Sequence, residues 1–441
     1  MKTKARVVGA GLAGVEAAHL LAGRGISVAL YEMRPHQTTP AHKTALLGEL
    51  VCSNSLKGTD PQTAHGLLKR EMELLGSLVM RVACETRVPA GKALAVDRDA
   101  FAAALTNSIE SLKNVTLIRE EVHEIDPDVP TVIATGPLTS DRLADALASM
   151  TGSERLFFYD AIAPIVDASS IDYSRAFFGS RWSKDGHDED YLNCPLDKDG
   201  YETFVRELLE GDRVNARSFE DARFFEACLP VEVMAERGPE SLRYGPMRPV
   251  GMVDPSSGRR PYAVVQLRRE NLKGDAFNMV GFQTRLTYPE QRRIFSLIPA
   301  LANAEYLRYG SIHRNTFLDS PRVLLPDLSL RGFPNTYAAG QITGVEGYME
   351  SASMGMAAAF SLLARLDGRD FVPPPADTAI GALIQYITQS AADVFQPTNI
   401  NFGIMEEPDA PKKYRKQKRL EQESRSFERW MMSLNSRSGL I

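Results

Sequence analysis

The chain has 441 residues, 44% hydrophobic and 24% charged, with a formal net charge of −5 at neutral pH. This is the balance of a soluble globular protein with two or three domains, or one large domain carrying an insertion. It excludes a whole-molecule field that attracts nucleic acid, so an RNA partner needs a local basic patch; no apolar run is long enough to span a bilayer and none at the start has the form of a signal peptide, so the expectation is a cytoplasmic protein without a membrane partner.

In chain order, Ala5-Arg6-Val7-Val8 predicts a strand, Gly9-Ala10-Gly11-Leu12-Ala13-Gly14 a tight turn, and the run that follows a helix. Gly9 lets the strand turn sharply, Gly11 lets a pyrophosphate approach the backbone, and Gly14 lets the helix pack closely on the strand. The helix start offers N–H groups to phosphates. Glu32 follows the apolar run Ile26–Tyr31, at the spacing that suits ribose hydroxyls. The stretch Met33–Leu56 is loop-rich and contains Val51-Cys52-Ser53-Asn54-Ser55. A helix is predicted over Ala64–Met80 and another from Asp99, whose carboxylate is placed to cap it. Val115–Ile118 and Thr131–Gly136 predict short buried strands, the second leaving the sheet beside the cofactor through Ala134-Thr135-Gly136.

After Thr151 the texture changes, with alternation in Ala263–Arg268 and Phe277–Phe282 and helical patterns over Tyr201–Leu209 and Pro289–Leu297. Glycine and alanine return over Thr336–Tyr348, followed by a small-residue helix, Glu350–Leu366. A proline linker at 373–375, a helix over Ile380–Thr388 and a strongly charged tail complete the chain. The fold class expected is α/β: a Rossmann-type FAD-binding domain with a parallel sheet, interrupted by an α+β insertion with an antiparallel sheet. The boundaries expected are 1–150 and 321–405 for the two parts of the FAD-binding domain, 151–320 for the insertion, and 406–441 for the basic tail.

The second glycine-rich stretch favours flavin over nicotinamide. Gly340, Gln341, Gly347 and Ser351 would bring another strand end and helix start to the cofactor, where a positive helix end stabilises a reduced flavin. No second fingerprint with its own acidic residue exists, so NAD(P)H, if used, binds transiently. Four widely spaced cysteines form no zinc pattern, and seven histidines show no metal-ligand spacing, so no metal is expected. Cys84 and Cys194 read as buried small hydrophobes. His313 reads as a polar residue at a domain junction. Candidate phosphate contacts are Arg259-Arg260, Arg268-Arg269, Arg292-Arg293 and the dense cluster Lys412-Lys413-Tyr414-Arg415-Lys416.

Three stretches together, Gly9–Ala18, Glu49–Ser55 and Ala338–Ser351, resemble the TrmFO family of folate- and FAD-dependent tRNA (uracil-5-)-methyltransferases, in the wider group that includes MnmG (GidA). Further matching stretches include Asp190–Pro195, Phe224–Glu232, Gly245–Gly251 and Arg308–Asn315. The resemblance implies methylation at C5 of the T-loop uridine of tRNA (position 54 in tRNA convention). The carbon comes from 5,10-methylenetetrahydrofolate and passes by way of the flavin, and NAD(P)H reduces FAD. It implies two catalytic thiols: Cys228 as the nucleophile that adds to uracil C6, and Cys52 for proton removal or support. Asn54 and Ser55, beside Cys52, join the expected cofactor contacts. The partners implied are the tRNA T-arm, folate and NAD(P)H, with a monomer favoured. MnmG-type proteins carry a large extra C-terminal helical region, and the short tail after Gly403 favours TrmFO. Competing readings are the same chemistry on a ribosomal RNA uridine, an MnmG-like wobble-uridine enzyme, a small-molecule flavoprotein oxidoreductase, and an RNA-binding flavoprotein without catalysis.

Overall fold

The computed structural model describes residues 4–152, 156–181, 190–214, 229–391, 395–411 and 413–438. Strand Lys4–Val8 lies inside a six-stranded sheet whose order is Ser329–Leu330, Phe333–Ala338, Thr131–Ile133, Lys4–Val8, Ser27–Tyr31, Val115–Ile118. Every pairing is parallel except the hairpin at the Ser329–Leu330 edge. Val7 faces Leu30 on one side and Val132 on the other, and Val132 in turn faces Tyr337. All four are buried, as strands covered on both faces require. The last-named strand arrives some 300 residues after the first, yet lies two places away. The expected α/β class with a parallel sheet is what is seen.

Between Ile133 and Ser329 the chain builds a second six-stranded sheet, entirely antiparallel, in the order Phe177–Phe178, Tyr191–Leu196, Ala263–Arg269, Ala276–Met279, Ile165–Asp167, Tyr306–Arg308. Its core includes Phe204, Phe282 and Phe295, with ring centroids 5.8–6.4 Å apart. An antiparallel ribbon, Leu156–Ile162 with Ser311–Phe317, carries the chain out and back. A small sheet, Ser55–Gly58, Ala93–Val96 and Arg87–Val88, follows the cysteine loop.

Helix Leu12–Gly23 packs along helix Tyr348–Leu366 at very short range. A Cβ on Gly355 would lie 2.1 Å from the Ala13 carbonyl oxygen, and one on Gly340 would lie 2.8 Å from the Ala13 Cβ. The small-residue texture of the second stretch is therefore what permits this contact.

Several expectations are corrected. Ala64–Met80 is two helices, Ala64–Leu74 and Leu78–Glu85, because Gly76 turns the chain at φ 75°. Ser77 caps the second helix by accepting from the Met80 N–H, and Glu16 accepts from Leu78 N–H and Val79 N–H at 3.1 and 2.9 Å. Burial pushes the Glu16 carboxyl up to about 7. The next helix is capped by Asp97, which accepts from the Ala100 N–H at 3.0 Å; Asp99 already lies in its first turn. Cys84 is exposed at the end of its helix, whereas Cys194 is buried as expected. The charged tail forms helix Arg415–Ser438, docked through Phe427 and Trp430, whose indole N–H donates to the Val372 carbonyl at 2.8 Å.

Gly355→Ala is expected to lower the thermal midpoint, because the added methyl meets backbone that has to move, at a cost of about 1–3 kcal/mol. Gly23→Ala, whose Cβ meets nothing within 4 Å, is expected to leave the midpoint unchanged or slightly raised. Equal midpoints for the two variants would contradict the helix-contact account.

Candidate functional site

The glycine turn opens into a cleft of about 1020 Å³. Of the expected cofactor contacts, Gly9, Ala10, Gly11, Leu12, Ala13, Glu32, Ala134, Thr135, Gly136, Gly340, Gln341 and Ser351 line it, together with Arg34, His42, Val51 and Tyr348. Three distant stretches of chain are thus brought to one surface.

Each glycine of the turn has a distinct geometric duty. Gly9 sits at φ 95°, and a Cβ there would be 2.5 Å from the Ala134 carbonyl oxygen. A Cβ on Gly14 would be 1.8 Å from the Gly9 carbonyl oxygen, so this residue lies behind the turn and serves packing. A Cβ on Gly11 would meet nothing within 4 Å, in a residue that lines the cleft: the space is kept for something other than protein. Gly11 and Gly347 start the two packed helices without a capping side chain. The start of helix Leu12–Gly23 therefore reaches the cleft with free N–H groups, which suits an anionic dinucleotide, whereas the Glu350 carboxylate folds back over the start of the other helix. FAD fits this cradle.

Glu32 is only partly free for ribose. Its Oε2 accepts from the Ala10 N–H at 3.1 Å, and its Oε1 accepts from the Arg34 N–H and Nε at 3.1 and 2.9 Å. Burial opposes ionisation, but the Arg34 guanidinium and these N–H donors hold the carboxyl below its ordinary range. Arg34 is in turn fixed by Glu49 at 2.9 Å. Carboxylate oxygens keep lone pairs beyond those used, so the cleft side can still accept from hydroxyls.

A second cleft, of about 1070 Å³, adjoins the first and shares Val51, Pro137, Leu138, Gln341 and Tyr348 with it. Cys52, Ser55 and Gly347 line it. The Tyr348 hydroxyl lies 3.1 Å from the Cys52 Sγ and accepts from the Cys52 N–H at 2.9 Å. Burial, then Asp160, pushes the Cys52 thiol up to about 11, so it is a thiol at neutral pH. Burial similarly pushes Cys194 up to about 12. Around the same cleft stand His313, pushed down to about 4 by burial and Arg308, and Glu346, held well above the carboxylate range by burial and Asp160. Glu346 accepts from Gln341 Nε2 at 2.5 Å. One wall carries Lys57, His65 and Lys69 around Glu350, with Lys57 Nζ and His65 Nδ1 at 3.7 and 3.5 Å from Glu350 Oε1. Burial pushes Lys69 down to about 8.

Some expected site residues belong elsewhere. Asn54 is fully buried, its Nδ2 donating to the Val96 and Arg269 carbonyls at 2.9 Å each and its Oδ1 accepting from Arg268 Nε at 2.9 Å. It clamps the cysteine loop to the antiparallel sheet and contacts neither cleft. Arg268 is consumed by this clamp and is not a surface cation. Arg259 and Arg260 are exposed at a turn, as are Lys413 and Lys416 at the start of the last helix. Arg415 is paired with Glu407 at 2.5 Å. Cys228 and Lys412 lie outside the described residues. Among the described residues there is no cluster of metal ligands, and no helix is long and apolar enough to cross a membrane.

Sequence reasoning missed Tyr348, the Lys57–His65–Lys69 wall, Glu346 and Glu350 as site groups. Tyr348 was visible as the residue after Gly347. His65 and Lys69 are four apart on one predicted helix and share a face, a readable pattern.

With this geometry in view, the chain can be compared with known proteins. The family model for glucose inhibited division protein A matches residues 4–370. A relative from Anaeromyxobacter dehalogenans (strain 2CP-1), named methylenetetrahydrofolate--tRNA-(uracil-5-)-methyltransferase TrmFO, is 56% identical over 91% of this chain and 89% of its own length. One of the same name from Desulfotalea psychrophila is 51% identical over 97% of both chains. The fold resembles the crystal structure of Aquifex aeolicus GidA (form II), with a TM-score of 0.73 at 17% identity, over 100% of this chain and 74% of that one.

Alkylation tests the thiol assignments. At pH 8, peptide mapping after iodoacetamide treatment is expected to show Cys84 modified ahead of Cys52 and Cys194. Cys52 labelling should rise only as pH approaches 11, and Tyr348→Phe should slow it further by removing a bond that favours the thiolate. Rapid labelling of Cys52 at pH 7 would overturn the assignment.

Proposed function

This chain belongs to the GidA family, in its TrmFO branch, and from that premise we propose that it is a methylenetetrahydrofolate-dependent tRNA (uracil-5-)-methyltransferase. The observation that carries the reading is the junction of two clefts. One is a glycine-lined cradle for FAD. The other is of similar volume, carries several ionisable side chains in its lining, and holds a cysteine hydrogen-bonded to Tyr348, which both clefts share. A flavin placed by the first cleft meets a folate and a uracil placed by the second, which is the meeting that this chemistry requires. We assign the target as the T-loop uridine and NAD(P)H as the electron donor, in line with the resemblance of the glycine and cysteine stretches.

When bound, FAD supplies the reducing equivalents that turn a methylene into a methyl group. The chain supplies the rest. Gly9, Gly11 and the start of helix Leu12–Gly23 hold the pyrophosphate, with Glu32 at the ribose. Gly340, Gln341 and the start of helix Tyr348–Leu366 face the ring end. Uracil C5 becomes nucleophilic when a thiolate adds to C6, and the C5 proton must then leave. We assign the addition to Cys228 and the proton removal to Cys52. Proton removal requires Cys52 as the thiolate, so its own proton must first pass to solvent; burial opposes that ionisation and the hydrogen bond from the Tyr348 hydroxyl favours it. Tyr348 orients Cys52. Of the basic residues, Arg259, Arg260, Lys413 and Lys416 are assigned to RNA phosphates because they are exposed.

Incubation with unmodified tRNA, methylenetetrahydrofolate and NAD(P)H is expected to yield 5-methyluridine at position 54, read by mass spectrometry of nuclease digests. S-adenosylmethionine should not substitute for the folate. Product on a ribosomal RNA fragment and none on tRNA would overturn the target. Cys228→Ala and Cys52→Ala should each lower the rate by about 100-fold or more while retaining flavin. Full activity in both would remove thiol chemistry from the account.

A further inference from the structure

The wall formed by strand Ser55–Gly58 and helix Ala64–Leu74 holds more positive charge than its surroundings balance. Lys69 is 3% exposed, yet its ammonium donates only to neutral carbonyls, those of Gly58 at 3.1 Å and His65 at 3.3 Å. Among the described residues no carboxylate lies within ion-pair distance of it, and one of its three N–H groups is left over. Lys57 stands beside it: burial and Lys57 both disfavour charge on Lys69, against the pull of Glu350 and the exposed Glu73. Among the described residues Glu350 is the one carboxylate within ion-pair distance of the group, and it is divided between Lys57, His65, its own N–H and the Ile400 N–H at 3.2 Å. Burial and then Asp160 disfavour the ionised form of Glu346, on the same cleft. Lys57 and His65 therefore share one carboxylate, and Lys69 has none within ion-pair distance among the described residues, in a cleft whose lining also carries Asp160. Buried charge of one sign is costly unless an anion completes it.

Lys57 has a further mark of constraint. It is a non-glycine residue at φ 63°, and it directly precedes the carbonyl that holds Lys69. The left-handed conformation is costly for a lysine and is sustained here by the wall itself.

The missing anion has to be small enough to enter a cleft whose deepest cation is almost sealed. That disfavours an RNA backbone, which tracks exposed grooves. We propose that Lys57, His65 and Lys69, arranged around Glu350, form a subsite for the carboxylates of the glutamate tail of the folate. The inference rests on the folate reading of the second cleft. It assigns a direction to the ligand: the tail lies at the lysine wall, and the pterin lies toward Gln341 and Tyr348, which both clefts share.

The test compares tetrahydrofolate with tetrahydropteroate, which lacks the glutamate, by equilibrium titration of the flavin-loaded full-length protein. The unaltered protein is expected to bind tetrahydrofolate about tenfold or more tighter, because charge-assisted hydrogen bonds to the tail are lost with it. Lys57→Gln and Lys69→Met should each bring that ratio to within about threefold, while affinity for tetrahydropteroate stays as it was. Flavin absorbance and thermal midpoint check the folding of each variant. If Lys69→Met does not fold, Lys57→Gln, at a partly exposed position, decides alone. A ratio that is absent in the unaltered protein, or that survives in the folded variants, overturns the subsite and leaves the folate reading standing. Failure of both compounds to bind overturns the folate reading, and the subsite falls with it.

Discussion

The contact between Ala13 and two glycines from the far end of the chain is the constraint on which the site depends. Gly340 and Gly355 both approach Ala13 closer than any side chain allows. This closes helix Leu12–Gly23 onto helix Tyr348–Leu366 and fixes the distance between their N-termini. Because the start of helix Leu12–Gly23 lacks a capping side chain, its position decides where an anionic ligand can lie. The parallel sheet reinforces the arrangement by setting Tyr337 two strands from Val7 through Val132. The cradle is thus a consequence of backbone packing, with few side chains involved.

A second set of contacts fixes the other cleft. The cysteine loop is pinned between two sheets by Asn54, which bonds to Val96 on one side and to Arg268 and Arg269 on the other. Arg98 adds a bridge, with Nη2 at 2.8 Å from Glu270 and another guanidinium nitrogen donating to the Leu50 carbonyl. Buried charged and amide groups of this kind contribute mainly through the cost of leaving them unpaired. Loss of one partner would strand the others, so Cys52 is held by a network in which each member depends on the rest.

What the sequence made legible follows from how local the physics is. The glycine turn could be read because only glycine meets the demands at 9 and 14, and strand, turn and helix are contiguous. Residues whose duty depends on distant partners were misread. Asn54 looked like a ligand contact because polar loop residues beside a motif often are; its partners Arg268 and Arg269 lie more than 200 residues on. Arg268 sits in an alternating strand beside Arg269, and only the three-dimensional pairing reveals that it points inward. The Ala64–Met80 pattern carried the apolar period through Gly76, although the glycine breaks the helix. The sequence points to Asp99 as a cap, whereas the hydrogen bond from the Ala100 N–H assigns that role to Asp97. The lysine wall escaped notice because a lone lysine on an amphipathic helix ordinarily reaches solvent.

The second cleft also separates the states of two carboxyls four residues apart in the chain. For Glu346, bonded to Gln341, burial and then Asp160 disfavour the ionised form, whereas for Glu350 burial is outweighed by Lys57 and His65, which favour it. Environments that drive paired acids apart are a way of giving them different tasks at one pH. Here Glu346 adjoins Gln341, which both clefts share, and Glu350 adjoins the cationic wall. The cleft is therefore polarised between an acidic end at Glu346 and Asp160 and a cationic wall at Lys57 and Lys69. An amphipathic ligand with an uncharged heterocycle and an anionic tail matches that polarity in one orientation only. The reverse would bury carboxylates beside Glu346 and Asp160, and leave the ammonium of Lys69 without an anion. Orientation would then be set by electrostatic cost, before any specific contact to the heterocycle is made.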